Sequence, residues 1–128
     1  MSIKMNYSIL KFIVAFLVLD AIYLTSTSGH YSKVVMAIQK SKLVLKMVPT
    51  IIVYILLMSG WYLVIYREKD RYTLRENVLK ALLYGIVVYG VYDFTNMAVF
   101  ENWDIKTALM DTMWGGILHG TSTYVSLM

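Results

Sequence analysis

The chain has 128 residues, 59% of them hydrophobic and only 16% charged, with a single proline and a net charge of +4; its mean hydropathy is +0.60. Soluble domains sit near 45–50% apolar and about 25% charged, so a water-solvated globule, a disordered chain, collagen and a coiled coil are all excluded. With no cysteine present, disulfides, thiolate zinc sites, cysteine nucleophiles and iron–sulfur clusters are excluded as well.

A membrane-crossing helix needs about 20 mostly apolar residues, and four stretches meet that need. The first runs from about Ile9 to Thr27, with Lys11 near enough to its start to snorkel. A rival reading of this stretch is a signal peptide, with Lys4 and Lys11 ahead of it and Ser26-Thr27-Ser28-Gly29 offering small residues for cleavage. Asp20, in the middle of the apolar run, argues against that. Residues 28–46 are predicted as a connection, with a basic interfacial helix near 33–45. There Val34, Val35, Ile38, Val44 and Leu45 alternate loosely with Lys33, Lys40, Lys42 and Lys46. The second span covers Met47–Tyr66 and stops at the charged run Arg67–Arg71. Pro49 sits in its first turn, where a missing amide proton costs little. The third span covers Val78 to Phe100 and the fourth Ile105 to Leu127, joined by loops at 67–77 and 101–104.

The expected fold is therefore all-α: an integral membrane four-helix up-down bundle forming a single membrane domain over 1–128. Basic residues flank the apolar runs instead of forming a stripe, so the partner is the lipid bilayer and no nucleic acid is expected. One face of the membrane carries Lys4, Lys11, Arg67, Lys69, Arg71, Arg75 and Lys80, the other Lys33, Lys40, Lys42, Lys46 and Lys106. Seven cations against five lean toward both termini in the cytoplasm.

Asp20, Asp93 and Asp111 each interrupt an apolar span. A mid-span aspartate costs roughly 2.5–3.5 kcal/mol on insertion scales, so all three are expected to face the bundle interior. At about 1.5 Å per residue, all three fall roughly 10 Å below the same membrane face, where Tyr54 is the second span's residue. Tyr89, Asp93 and Asn96 share a face of the third span, and Asp111, Gly115, His119 and Ser122 a face of the fourth. The binding candidates are therefore Asp20, Asp93, Asp111, Asn96, Tyr23, Tyr54, Tyr92 and Trp114, expected to converge on one pocket opening toward the 28–46 and 101–104 loops. Tyr89 and His119 are secondary candidates, and Lys106, about one turn from Asp111, is a candidate counter-ion. His30 reads as a solvated loop residue. Gly116 and Gly120 form a small-xxx-small pair that lets helices approach, within the bundle or at a dimer seam.

Three function classes stay open. The aspartate layer can hold a proton, a cation or a polar small solute, as in a binding or transport-like protein. It can instead only fix helix packing in a structural or accessory subunit, since interhelical hydrogen bonds contribute about 0.6 kcal/mol each. Or the chain can be a membrane-embedded enzyme acting on lipid. There is no His-Glu-x-x-His, Gly-x-Ser-x-Gly, phosphate loop or dinucleotide fingerprint, and no serine with a histidine at matching depth. No cofactor is implied, a metal ion is left open, and a homo-oligomer or larger membrane assembly is compatible with the sequence.

Leu19-Asp20-Ala21-Ile22-Tyr23-Leu24, Tyr92-Asp93-Phe94-Thr95-Asn96, Trp103 and Asp111-Thr112-Met113-Trp114-Gly115 occur in this order. In these motifs the chain resembles the DUF2177 family of small, predicted four-span membrane proteins. The likeness covers nearly the whole sequence; the second span matches only in character, through Pro49 and Tyr54. The resemblance implies the four-span architecture and picks out the same three aspartates, but it implies no reaction.

Overall fold

In the computed structural model, which describes residues 3–128 with side chains from Tyr7 onward, the chain is all-α. Helix α1 runs Ile3–Gln39, α2 Met47–Val64, α3 Leu74–Val99 and α4 Ile105–Leu127, with a short 3-10 helix at Tyr66–Arg71 between α2 and α3. Lys4, counted in the charge bias, lies outside the described side chains. Successive helices alternate in direction. At one end the Ser126 hydroxyl of α4 donates to the Ser8 carbonyl of α1 at 2.7 Å. At the other, the Asn102 amide donates to the Ala37 carbonyl at 3.2 Å.

The largest departure from the sequence reading is in 28–46. No separate interfacial helix forms there: α1 continues unbroken to Gln39, and only 40–46 is irregular. Nothing in 28–39 forbids the helix, since Gly29 is its one weak residue and no proline occurs. The extension also buries an apolar face, with Tyr31, Val34 and Ile38 packed on Trp103 and Ala108. The helix ends where Lys40 turns left-handed at φ 61°, and Gln39 then donates to the carbonyls of Ser41 and Lys42. α3 begins four residues earlier than expected, because Thr73 and Glu76 form a reciprocal capping box.

Three of the four helices, α1, α2 and α3, are long and apolar enough to cross a membrane. α4 is the exception in composition and the centre of the packing. It lies along α3 and along α1. Its Thr107, Asp111, Thr112, His119, Ser122, Thr123 and Ser126 are all buried. Its 23 residues reach about 34 Å, enough for a hydrocarbon core of about 30 Å. A helix this polar can stand in a bilayer because its neighbours, not lipid, receive its polar face.

Glycine sets the α3–α4 distance. A Cβ on Gly85 would collide with the Gly115 carbonyl, and one on Gly115 with the Tyr89 ring and, at 2.8 Å, the Gly85 carbonyl. Gly116, singled out in sequence, does the same work: its Cβ would lie 2.7 Å from Ile86 and 3.2 Å from the Leu82 carbonyl. Gly120 is less tight, at 3.4 Å from Leu82. These glycines serve packing within the bundle. α2 is held differently, by an aromatic stack of Trp61 on Phe12 with centroids 3.7 Å apart and by a Trp61 hydrogen bond to Thr123 at 2.9 Å.

Two measurements test this architecture. Gly115→Ala should lower thermal stability in detergent by about 1–3 kcal/mol through overpacking, whereas Gly29→Ala, with nothing within 4 Å of the added carbon, should raise it by up to about 1 kcal/mol. Equal effects at the two positions would contradict the close approach. The native chain has no cysteine, so single cysteines at Asp70 and Met128 should react with an impermeant maleimide from one membrane face, and cysteines at Lys40 and Asn102 from the other.

Candidate functional site

The antiparallel register of α1 on α4 places Phe16 on His119, Asp20 at Trp114, Tyr23 at Asp111 and His30 at Thr107. The register of α3 on α4, fixed at Gly85 and Gly115, brings Gly90 beside Thr112 and Asp93 beside Asp111. All three aspartates face inward, at 6%, 0% and 9% exposure for Asp20, Asp93 and Asp111. Their surroundings differ.

Asp20 is fully served. The Tyr54 hydroxyl of α2 donates to one carboxylate oxygen and the Trp114 indole N–H to the other, at 3.2 Å. Trp114 lies flat on Tyr23, with centroids 4.7 Å apart and planes 3° from parallel. The Tyr23 hydroxyl donates to Asp111 at 3.1 Å. A phenol has one proton, so the 2.7 Å contact between Tyr23 and Tyr31 is a donation from Tyr31.

Asp93 is the opposite case. It is wholly buried, yet neither carboxyl oxygen has a hydrogen-bond partner. Its neighbours are the Asp111 carboxyl and the Trp103 indole; the Trp103 N–H is itself buried without a partner. Two neighbouring carboxyl groups in an apolar interior cannot both stay ionised unless a cation lies between them; otherwise they share a proton.

The aspartates therefore differ in their partners, Asp20 with its own donors and Asp93 beside Asp111. The Tyr23–Trp114 stack links Asp20 to Asp111. Among the described residues no group of three acidic or histidine side chains is close enough to hold a metal ion. The expected opening is also displaced. Toward the loops the site is roofed by Trp103, which packs on Tyr31 and, edge-on, against Tyr92. It opens sideways instead, into a cleft of about 460 Å³ between α2 and α3, lined by Val53, Leu56, Leu57, Tyr84, Val88, Tyr89, Tyr92 and Asp111.

The remaining candidates divide. Tyr92 is exposed on the cleft rim, and Asn96 is half-buried with no side-chain hydrogen bond. Lys106 is exposed and makes no ion pair with Asp111; its charge acts on Asp104. Asp104 caps α4 at the Thr107 amide, 2.9 Å away, and the Thr107 hydrogen bonds hold its carboxyl below the usual range. His119 is buried under the edges of Phe16, Tyr84 and Tyr89, its Nδ1 bonded to the Gly115 carbonyl at 2.8 Å and its Nε2 unpartnered. His30 is not a loop residue: it sits on α1, bonded to Thr107 at 2.7 Å. Tyr31 and the roofing role of Trp103 were not foreseen. Tyr31 lies two turns from Tyr23 on one helical face, a signal visible only once the helix is continued past residue 28.

Tyr54→Phe tests the Asp20 contacts. It leaves a buried carboxylate short of a donor and should cost about 1–3 kcal/mol of stability in detergent, while Tyr92→Phe at the exposed rim should change stability little. An unaltered Tyr54→Phe protein would show that Asp20 does not depend on α2.

No curated protein matches the chain, and no solved structure matches it. A family model does, that of a predicted membrane protein family, DUF2177, over residues 5–128. With the match running through all four helices and all three aspartates, the chain belongs to the DUF2177 family of membrane proteins.

Proposed function

We propose that this protein is an intramembrane binding protein, with transport-like chemistry, whose Asp93–Asp111 pair holds a proton, a cation or a small polar solute. The supporting observation is Asp93, fully buried with both oxygens unpartnered against a second carboxyl group. A carboxyl group retained only for helix packing should be hydrogen-bonded, because an unpaired buried polar group costs about 1–3 kcal/mol and more when charged. Asp20, satisfied by Tyr54 and Trp114, fits that packing role. Asp93 does not. The charge bias of the loops completes the reading, with both termini on the cytoplasmic side.

A second reading, a structural or accessory subunit, is favoured at Asp20 alone. Asp-to-Asn substitutions separate the two. In purified protein, infrared spectra should contain a carboxylic-acid band that falls when methylammonium or sodium is added, and thermal stability should rise with the same ions. Asp93→Asn and Asp111→Asn should fold and lose both responses; Asp20→Asn should lose stability and keep the ion response. Folded Asp93→Asn and Asp111→Asn proteins that respond as the native one does would leave only the structural reading.

A further inference from the structure

The lateral cleft carries the reading of the Asp93–Asp111 pair one step further, to the class of ligand. Its walls are apolar, with Val53, Leu56 and Leu57 from α2 facing Val88 from α3. Its rim lies open on the outer surface: Val53, Leu56 and Tyr92 are 51%, 64% and 58% exposed. In a membrane protein that surface meets lipid, so the entrance faces hydrocarbon and not water. At the floor the apolar lining gives way to one carboxyl group, that of Asp111. Asp93 neighbours it, enclosed in the bundle with the buried indole of Trp103 close by.

Among the described residues no cation is paired with this floor; the ion pairs among them are Lys69–Asp70 and Arg71–Glu68, both in the 3-10 helix beyond the other end of the bundle. A volume of about 460 Å³ falls within the roughly 300–1,000 Å³ of small-molecule sites. From Tyr84 to Tyr92 the α3 wall is about 12 Å long, a length that an alkyl chain can follow. An anionic head group would meet two carboxyl groups, and an uncharged chain would leave Asp111 without a counter-charge in an apolar site, at a desolvation cost.

We propose that the cleft takes a single-chain amphiphile with an ammonium head, entering sideways from the bilayer. The ammonium hydrogen-bonds to Asp111, and the chain lies between α2 and α3. This rests on the Asp93–Asp111 pair being a binding site, and the test keeps the two apart.

The protein is reconstituted in phosphatidylcholine nanodiscs, and its thermal unfolding is followed with dodecylammonium, methylammonium, dodecanol and dodecyl sulfate. Dodecylammonium should stabilise at the lowest concentration, methylammonium only at higher ones, and the alcohol and sulfate not at all. Asp111→Asn should weaken both amines by about tenfold or more, the loss of a charge-assisted hydrogen bond in an apolar site. Leu56→Trp and Leu57→Trp, which fill the cleft, should weaken dodecylammonium alone; the first, at an exposed position, keeps the test valid if the second misfolds.

If neither amine acts on the native protein, the binding reading itself fails. If methylammonium acts through Asp111 but the filled clefts bind dodecylammonium as tightly as the native one, only the amphiphile assignment falls. Dodecanol acting as well as the amine would make the groove merely apolar. Full competition by phosphatidylethanolamine in the disc would move the occupant to a bilayer lipid, and a dimer that Leu56→Trp dissociates would make the cleft an interface between copies. Each of these three results overturns the proposal.

Discussion

The contact of Gly85 with Gly115 is the constraint from which the rest of the bundle follows. Lipid is as apolar as leucine, so helices in a bilayer gain little by burying leucine against leucine and must rely on close packing and polar contacts. Where α3 and α4 meet at glycine, backbone approaches backbone, with the Tyr89 ring lying over Gly115. That approach fixes the register, and the register carries Asp93 to Asp111 two turns further along α3. A bulkier residue at either glycine would move two carboxyl groups at once.

The organisation around α4 inverts the habit of soluble bundles. Its most polar side chains point to the centre, and the apolar Leu109, Met113 and Ile117 point out, at 49%, 63% and 51% exposure. The interior is held by directional contacts: Trp61 to Thr123, Ser126 to Ser8, Trp114 to Asp20. Such contacts choose one register where a greasy interface would allow several. The same logic explains the seat of α2, which is anchored by Trp61 and Tyr54 and meets Tyr84 of α3 at Gly60, leaving the cleft beside these contacts.

Much of this was legible beforehand, for identifiable reasons. Apolar run length located the helices, and α4 matched its expected bounds because Asp104 caps it at the Thr107 amide. The insertion cost of aspartate pointed all three carboxyl groups inward, where they are buried, and depth placed Tyr54 in their layer without saying which of them it would meet. Depth could not give the rotation of each helix about its axis, so the difference in their partners was hidden. Nor could it show that Trp103 closes the loop side and leaves the α2–α3 side open. The end of α1 was misplaced because hydropathy falls after Thr27, whereas the helix is continued by packing of Tyr31 and Val34 on Trp103 and Ala108.

That overlong α1 has a consequence for the environment of the carboxyl pair. Its 37 residues measure about 55 Å, nearly twice a hydrocarbon core of about 30 Å. A helix that long must outrun the hydrocarbon or tilt steeply within it. Either way its last turns, carrying Tyr31, cover the end of the site where Trp103 lies, so the covering of the carboxyl pair is supplied by the same helix that supplies Asp20. Of the pair, Asp111 alone lines the cleft, and Asp93 is enclosed.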